Sequence, residues 1–135
     1  MSAINLEHVN ITVDDPDATA AMLNRIFGWT VRWRGQSGAS IHGGFSLHVG
    51  EPDDGTGSSY LALYRHPEQR QGQVDSYRTR GGLNHVGVVV EDLDTLEARV
   101  VAEGLEPHSH ADYEPGRRFY FHTPDGIEFE VVSYT

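Results

Sequence analysis

The sequence predicts an α+β fold made of two β-α-β-β-β modules that form a half-open mixed barrel around a metal cup, with the helices outside. Three observations carry this expectation. Residues 6–17, LEHVNITVDDPD, return as residues 83–94, LNHVGVVVEDLD, so that His8 aligns with His85, Val9 with Val86, Val13 with Val90, Asp15 with Asp92 and Asp17 with Asp94. Each copy runs into a stretch with helical spacing that ends at a glycine. Beyond each helix, apolar and polar residues alternate at period two, as half-buried strands require. A repeat of this size means two copies of one supersecondary unit.

Taken in order, residues 6–13 put Val9, Ile11 and Val13 on one strand face and Leu6, His8, Asn10 and Thr12 on the other. Asp14-Asp15-Pro16-Asp17 provides an N-cap, an acidic first turn and a proline where an early helix tolerates one. Residues 18–27 then have amphipathic helical spacing, and Gly28 is placed to cap the helix. Residues 30–34 form a strand. In residues 40–49, Ile41, Phe45, Leu47 and Val49 oppose His42, Ser46 and His48. A polar loop over 51–59 leads to a strand over 60–65, with Leu61 and Leu63 opposite Tyr60, Ala62 and Tyr64. Residues 67–82 contain few apolar side chains and read as a linker between module 1 (4–66) and module 2 (83–135). The second helix spans 93–103 and stops at Gly104. A short strand and loop over 107–115, with His108 and His110 in the loop, lead to a closing hairpin. There Arg118, Tyr120 and His122 oppose Phe119 and Phe121; Pro124-Asp125-Gly126 turns the chain; Glu128, Glu130 and Val132 oppose Ile127, Phe129 and Val131.

At 135 residues the chain has the size of one domain with a core of its own. A formal charge of −10 argues against nucleic acid as a partner, because phosphate binding needs clustered Lys and Arg. No apolar run approaches the roughly 20 residues that span a bilayer, and the N-terminus lacks the basic and apolar regions of a signal peptide. The expectation is a soluble cytoplasmic protein with no membrane role. Without cysteine there is no thiolate nucleophile and no sulfur-ligated metal. The excess is in histidine, with eight.

His8 and His85 hold the same position of the repeat, opposite the valines that should pack the helices. Glu130 stands opposite the apolar residues of the last strand. Pseudo-twofold pairing of the modules would bring the three into one cup. Two imidazoles and a carboxylate suit a divalent ion with open positions, Fe or Mn above all, with Zn or Ni also acceptable. By contrast, Glu128 reads as a solvated strand-entry residue, His42 and His66 as surface residues, and the face of His48 leaves its role open.

These residues resemble the vicinal oxygen chelate superfamily, which includes glyoxalase I, extradiol ring-cleaving dioxygenases, fosfomycin-resistance thiol transferases, methylmalonyl-CoA epimerase and bleomycin-binding proteins. The resemblance extends over essentially the whole chain and implies His8, His85 and Glu130 as metal ligands. It also implies Ala62 at the position of the family's frequent fourth ligand, which disfavours an isomerase or epimerase. The series Phe119-Tyr120, Thr123-Pro124, Gly126 and Glu130 is similar to the extradiol hallmark. That similarity implies Tyr120 as the catalytic residue that hydrogen-bonds the substrate oxygen at the metal, with His110 as the supporting histidine. Ser58, Ser59 and Tyr60 stand where those enzymes carry an acid–base histidine. The leading implication is extradiol-dioxygenase-like chemistry on a small molecule with vicinal oxygens. Two alternatives stay open: a glutathione/thiol transferase or lactoylglutathione-lyase-like enzyme, and a metal-free antibiotic-binding protein gripping its ligand with Tyr60, Tyr64, Trp29 and Trp33. The resemblance further implies a homodimer, with the modules paired within one chain or exchanged between two.

Overall fold

The described residues form two capped helices and two four-stranded sheets. The computed structural model describes residues 4–38, 42–52, 59–72, 75–113 and 116–135. The elements are β1 (His8–Thr12), α1 (Pro16–Phe27), β2 (Thr30–Arg34), β3 (Phe45–Gly50) and β4 (Tyr60–Arg65), then β5 (Val86–Val89), α2 (Leu93–Ala102), β6 (His108–Tyr113), β7 (Gly116–His122) and β8 (Glu128–Ser133). The sheet orders are β1-β4-β3-β2 and β5-β8-β7-β6. In each sheet the first pair is parallel and the other two are antiparallel. The fold is therefore α+β, with two β-α-β-β-β modules, as the repeat implies. The chain divides into compact units Met1–Arg70 and Gln71–Thr135. Among the described residues, no helix is long and apolar enough to cross a membrane.

In the first unit, the Asp15 carboxylate accepts a hydrogen bond from the Ala18 amide at 3.1 Å and so starts α1. The helix ends where Gly28 adopts φ 77° and returns its amide to the Asn24 carbonyl. Between these caps, Ala20, Met22, Leu23 and Ile26 are buried. The helix contacts β2, β3 and β4, whose Leu47, Val49, Leu61 and Leu63 are also buried. Gly44 enters β3 at φ 66°, where a Cβ would run into the Arg65 carbonyl, so a larger residue would force the two strands apart.

The second unit repeats the plan. Asp92 caps α2 through the Thr95 amide (3.1 Å) and hydroxyl (2.6 Å). Leu93, Leu96 and Val100 are buried on α2, which contacts β7 and β8; Phe119, Phe121, Phe129 and Val131 of those strands have at most 1 % exposure. The Phe121 and Phe129 rings stack at 5.3 Å. Gly126, at φ 85°, closes the turn onto the Thr123 carbonyl at 2.9 Å.

Two expectations need correction. The strand expected over 40–49 is β3, Phe45–Gly50; Ser40 and Ile41 lie outside the described residues, as does Ser58, and His42 sits in an exposed turn. The stretch expected to hold His108 and His110 in a loop is mostly strand β6. Its alternation is broken by a bulge between His108 and Ala111, where Ser109 takes φ 56°. A bulge inserts an extra residue and shifts the facing of side chains beyond it, which hides the strand from a period-two reading.

Phe121→Ala should destabilise the protein by about 3–5 kcal/mol, the usual cost of emptying a fully buried aromatic site. Urea unfolding followed by circular dichroism measures this, and a loss below about 1 kcal/mol would contradict the assigned core.

Candidate functional site

Strand register places the two units in correspondence residue by residue. On β1 and β4, Asn10 lies opposite Ala62 and His8 opposite Tyr60. On β5 and β8, Gly87 lies opposite Glu130, and Val86 opposite Phe129. Since Asn10 and Gly87 are mates in the repeat, Ala62 is the counterpart of Glu130, and Tyr60 that of Glu128. The next ladders extend the comparison: His48 faces Ala62 as Tyr120 faces Glu130, and Trp33 faces His48 as His108 faces Tyr120. One scaffold thus carries aromatic groups in the first unit and ionisable ones in the second.

In the second unit, burying Phe119, Phe121, Phe129 and Val131 against α2 turns Arg118, Tyr120, His122, Glu128 and Glu130 to the other face. Glu130 is held at one oxygen: Oε2 accepts from the Tyr120 hydroxyl at 2.6 Å and from Arg118 at 3.2 Å. Its other oxygen, Oε1, faces His85 Nε2 at 3.9 Å. The Tyr77 hydroxyl donates to Glu128 Oε1 and lies 3.2 Å from His85 Nδ1. His85 Nδ1 also lies 3.7 Å from Glu128 Oε1, so the ring stands between the two carboxylates with one nitrogen toward each. Nothing crowds the gap from β5, where a Cβ on Gly87 would lie 3.7 Å from Glu130 Oε1.

The carboxylates also act on the phenols. The hydrogen bond to Glu130, followed by burial, pushes Tyr120 up to about 12, and the bond to Glu128, again followed by burial, does the same for Tyr77. Both are neutral donors at physiological pH.

In the first unit, the rings of His8 and Tyr60 stack at 4.9 Å and those of His48 and Tyr60 at 4.2 Å, while the Trp33 ring lies tilted by 38° against His48 at 4.6 Å. The Arg32 guanidinium lies 5.6 Å above the Tyr60 ring. Glu7 bonds both His8 Nδ1 (2.9 Å) and the Tyr60 hydroxyl (3.1 Å), and these bonds, His8 first, lower its carboxyl below the ordinary range. Burial, then the charge of His8, lowers His48, which stays neutral within the stack.

Of the residues singled out in the sequence, the second unit gathers His85, Tyr120 and Glu130, while His8 lies in the aromatic row of the first unit. His110 lies elsewhere. Its Nε2 bonds Glu97 of α2 at 3.0 Å and its ring sits 6.0 Å from buried Phe119, because the bulge at Ser109 sends His108, not His110, toward Tyr120. Glu128 is not a solvated entry residue: its side chain is 12 % exposed and meets Tyr77, His85 and His122. Tyr77 escaped notice altogether, and His122 was placed on the Tyr120 face without a role. Tyr77 was hidden in the expected linker, where being its sole aromatic was the only signal. His122 shares the face of Tyr120 by simple alternation, yet its partners come from other strands.

Alkaline difference spectroscopy at the phenolate band tests the carboxylate–phenol pairs. Tyr77 and Tyr120 should remain mostly un-ionised at about pH 11. Glu130→Gln should return Tyr120, and Glu128→Gln Tyr77, to ordinary ionisation. The Tyr120 bond stabilises the fold fully below about pH 10 and loses that contribution as pH rises through about 12. Six tyrosines titrating together would contradict both pairs.

Comparison with known proteins agrees with this architecture. A sequence profile of the Glyoxalase/Bleomycin resistance protein/Dioxygenase superfamily matches residues 5–131. The chain is similar to a glyoxylase/bleomycin resistance protein/dioxygenase domain from Frankia sp. EAN1pec, with 27% identity, TM-score 0.77 and 98% of each chain covered. It also shares its fold with the fosfomycin resistance protein FosX of Listeria monocytogenes, solved with Mn(II) and sulfate, at 18% identity and TM-score 0.70, covering 99% of this chain and 93% of that one. An antibiotic binding protein from Streptomyces sp. CB03234 has the same fold at 19% identity and TM-score 0.68, covering 100% and 99%. No curated protein matches the sequence. The profile match over nearly the full length identifies the chain as a member of the Glyoxalase/Bleomycin resistance protein/Dioxygenase superfamily.

Proposed function

We propose that this protein is a metal-dependent enzyme acting on a small molecule that chelates through adjacent oxygens, with extradiol-dioxygenase-like chemistry as its activity. The observation that carries the reading is the approach of His85 Nε2 to Glu130 Oε1, an imidazole nitrogen and a carboxylate oxygen 3.9 Å apart. Bonds of about 2.1 Å let one divalent ion join donors up to about 4.2 Å apart, so the pair fits such an ion, and the donor chemistry suits Fe or Mn. His8 is the third donor that the sequence repeat nominates. When bound, the ion would supply Lewis acidity and open positions for adjacent substrate oxygens.

The surrounding groups suit this role. The Tyr77 hydroxyl lies 3.2 Å from His85 Nδ1 and orients the ring, as partners of metal-binding histidines commonly do. Arg118, with 13 % side-chain exposure, orients Glu130. Tyr120, whose proton goes to Glu130, keeps its hydroxyl oxygen as an acceptor that could orient a substrate hydroxyl beside Glu130. Ala62, the counterpart of Glu130, has no group to bind a metal or carry a proton, which favours this reading over glyoxalase-like isomerisation or lactoylglutathione-lyase chemistry. Glutathione or thiol transfer has less support, because Arg118, the one arginine facing Tyr120, is committed to Glu130. A second reading, antibiotic binding without catalysis, draws on the aromatic row of Trp33, His48, Tyr60 and His8, which suits a planar ring.

The test is oxygen uptake by the full chain reconstituted with Fe(II) or Mn(II), across a panel of catechols. Turnover should be lost in His85→Ala and Glu130→Gln, and kcat should fall at least tenfold in Tyr120→Phe with the circular dichroism spectrum unchanged. Absence of turnover, together with binding of aromatic antibiotics by metal-free protein that Trp33→Ala weakens, would replace the enzymatic reading with the binding one.

A further inference from the structure

We propose a second divalent-metal site, of the zinc type, formed by His108, His122 and Glu128 on the adjacent strands β6, β7 and β8. One ligand atom from each residue lies within 4.8 Å of the other two. His108 Nε2 and His122 Nδ1 are 3.0 Å apart, and His122 Nε2 is 3.3 Å from Glu128 Oε2. These two contacts use opposite nitrogens of the His122 ring, of which one ion takes one, so side-chain rotation must bring three donors that lie within 4.8 Å to the roughly 3.3–3.5 Å spacing of a tetrahedral ion with bonds of about 2.0–2.2 Å. Two imidazoles meeting nitrogen to nitrogen share one proton between two lone pairs. A divalent ion takes the place of that proton and holds both nitrogens.

Three features favour an ion over a simple hydrogen-bonded pair. First, Glu128 is a largely buried carboxylate whose recorded partners among the described residues are a phenol and imidazoles, with no Arg or Lys, so its charge lacks a permanent counter-ion. Second, its Oε1 is held by Tyr77 and its Oε2 turns toward His122, while His108 Nδ1 bonds the Ser109 hydroxyl at 2.9 Å. Glu128 Oε1 and His108 Nδ1 are thus held by orienting partners, which leaves Glu128 Oε2 and His108 Nε2 for an ion. Third, Ser109 is the one non-glycine residue with positive φ among the described residues, and it sits in the bulge that aims His108 across the sheet. Backbone strain of this kind persists where a side chain must be held in place.

The site is separate from the pair joined by His85 and Glu130. Glu128 and Glu130 are two residues apart on one strand, about 6.6 Å along it, so their carboxylates serve different ions. The His122 side chain is 49 % exposed, giving an ion access from solvent. Three protein donors leave a position open for water or a small ligand.

Zinc titration of the chelator-stripped full chain against a chromophoric competitor tests the proposal. It is run in a Glu130→Gln background, so that loss of the proposed catalytic metal leaves the result intact. About one equivalent of Zn²⁺ should bind, and His108→Ala, His122→Ala or Glu128→Gln should each weaken it at least tenfold. Substitution with Co²⁺ should give a visible absorption band that the same variants lose. Thermal unfolding of the metal-free variants, matched to the parent, verifies that they fold. Zinc binding that is absent from the parent, or unchanged in all three variants, overturns the proposal.

Discussion

The register of β7 against β8 is the constraint on which the rest of the second unit depends. Phe119 faces Val131 and Phe121 faces Phe129 across the ladder, and these four side chains fill the core beneath α2. Each fully buried side chain of this size contributes about 1.5–3 kcal/mol, so a one-residue slip, which would turn all four to the opposite face, is strongly disfavoured. The same register places Tyr120 opposite Glu130 and His122 opposite Glu128. The polar face is therefore positioned by the packing of the apolar one. Its carboxylate–phenol and carboxylate–imidazole pairs need no dedicated scaffold beyond the hairpin itself.

Duplication supplies a control for this logic. The first unit keeps the ladder, the capped helix and the buried leucines and valines, yet Ala62 replaces the carboxylate and His48 the phenol. Once the carboxylate is gone, no anion needs balancing on β4, and the space is taken by flat rings that pack at 4.2–4.9 Å. Such contacts are worth about 0.5–1.5 kcal/mol each for aromatic pairs beyond their buried area, enough to order the row without ionic pairing. The units have diverged in chemistry while conserving the geometry that orients it.

Much of this was legible in the amino-acid order. The repeat of residues 6–17 in 83–94 revealed the two modules, and period-two alternation sorted Tyr120 and Glu130 from the core phenylalanines. The caps at Asp15, Gly28 and Asp92 lie within a residue of the helix ends they imply. What alternation could not reveal was any pairing that depends on a break in it. The left-handed turn at Ser109 puts His108 and His110, which alternation would place together, on opposite faces, and serine carries no signal for that conformation as glycine would. Tyr77 reaches Glu128 from a stretch without strand or helix periodicity, so its partner could be found only in three dimensions. Glu128 itself was misread because a charged residue at a strand entrance is ordinarily solvated, and its burial depends on Tyr77 covering it.

Charge balance separates the two carboxylates of β8. Glu130 has Arg118 as a permanent cation at 3.2 Å. Glu128 has only groups that are neutral when its neighbours are unprotonated. Taking a carboxylate out of water costs several kcal/mol unless positive charge accompanies it. Phenolic hydrogen bonding recovers part of that cost, and the positive charge must come from solution, as a proton on an imidazole or as a metal ion. At neutral pH a divalent ion supplies it without displacing His122 or His108 from the positions the sheet gives them. The arginine on β7 and the two histidines on β6 and β7 are thus different answers to one electrostatic problem: two acidic side chains that the core packing of β8 turns to the same face.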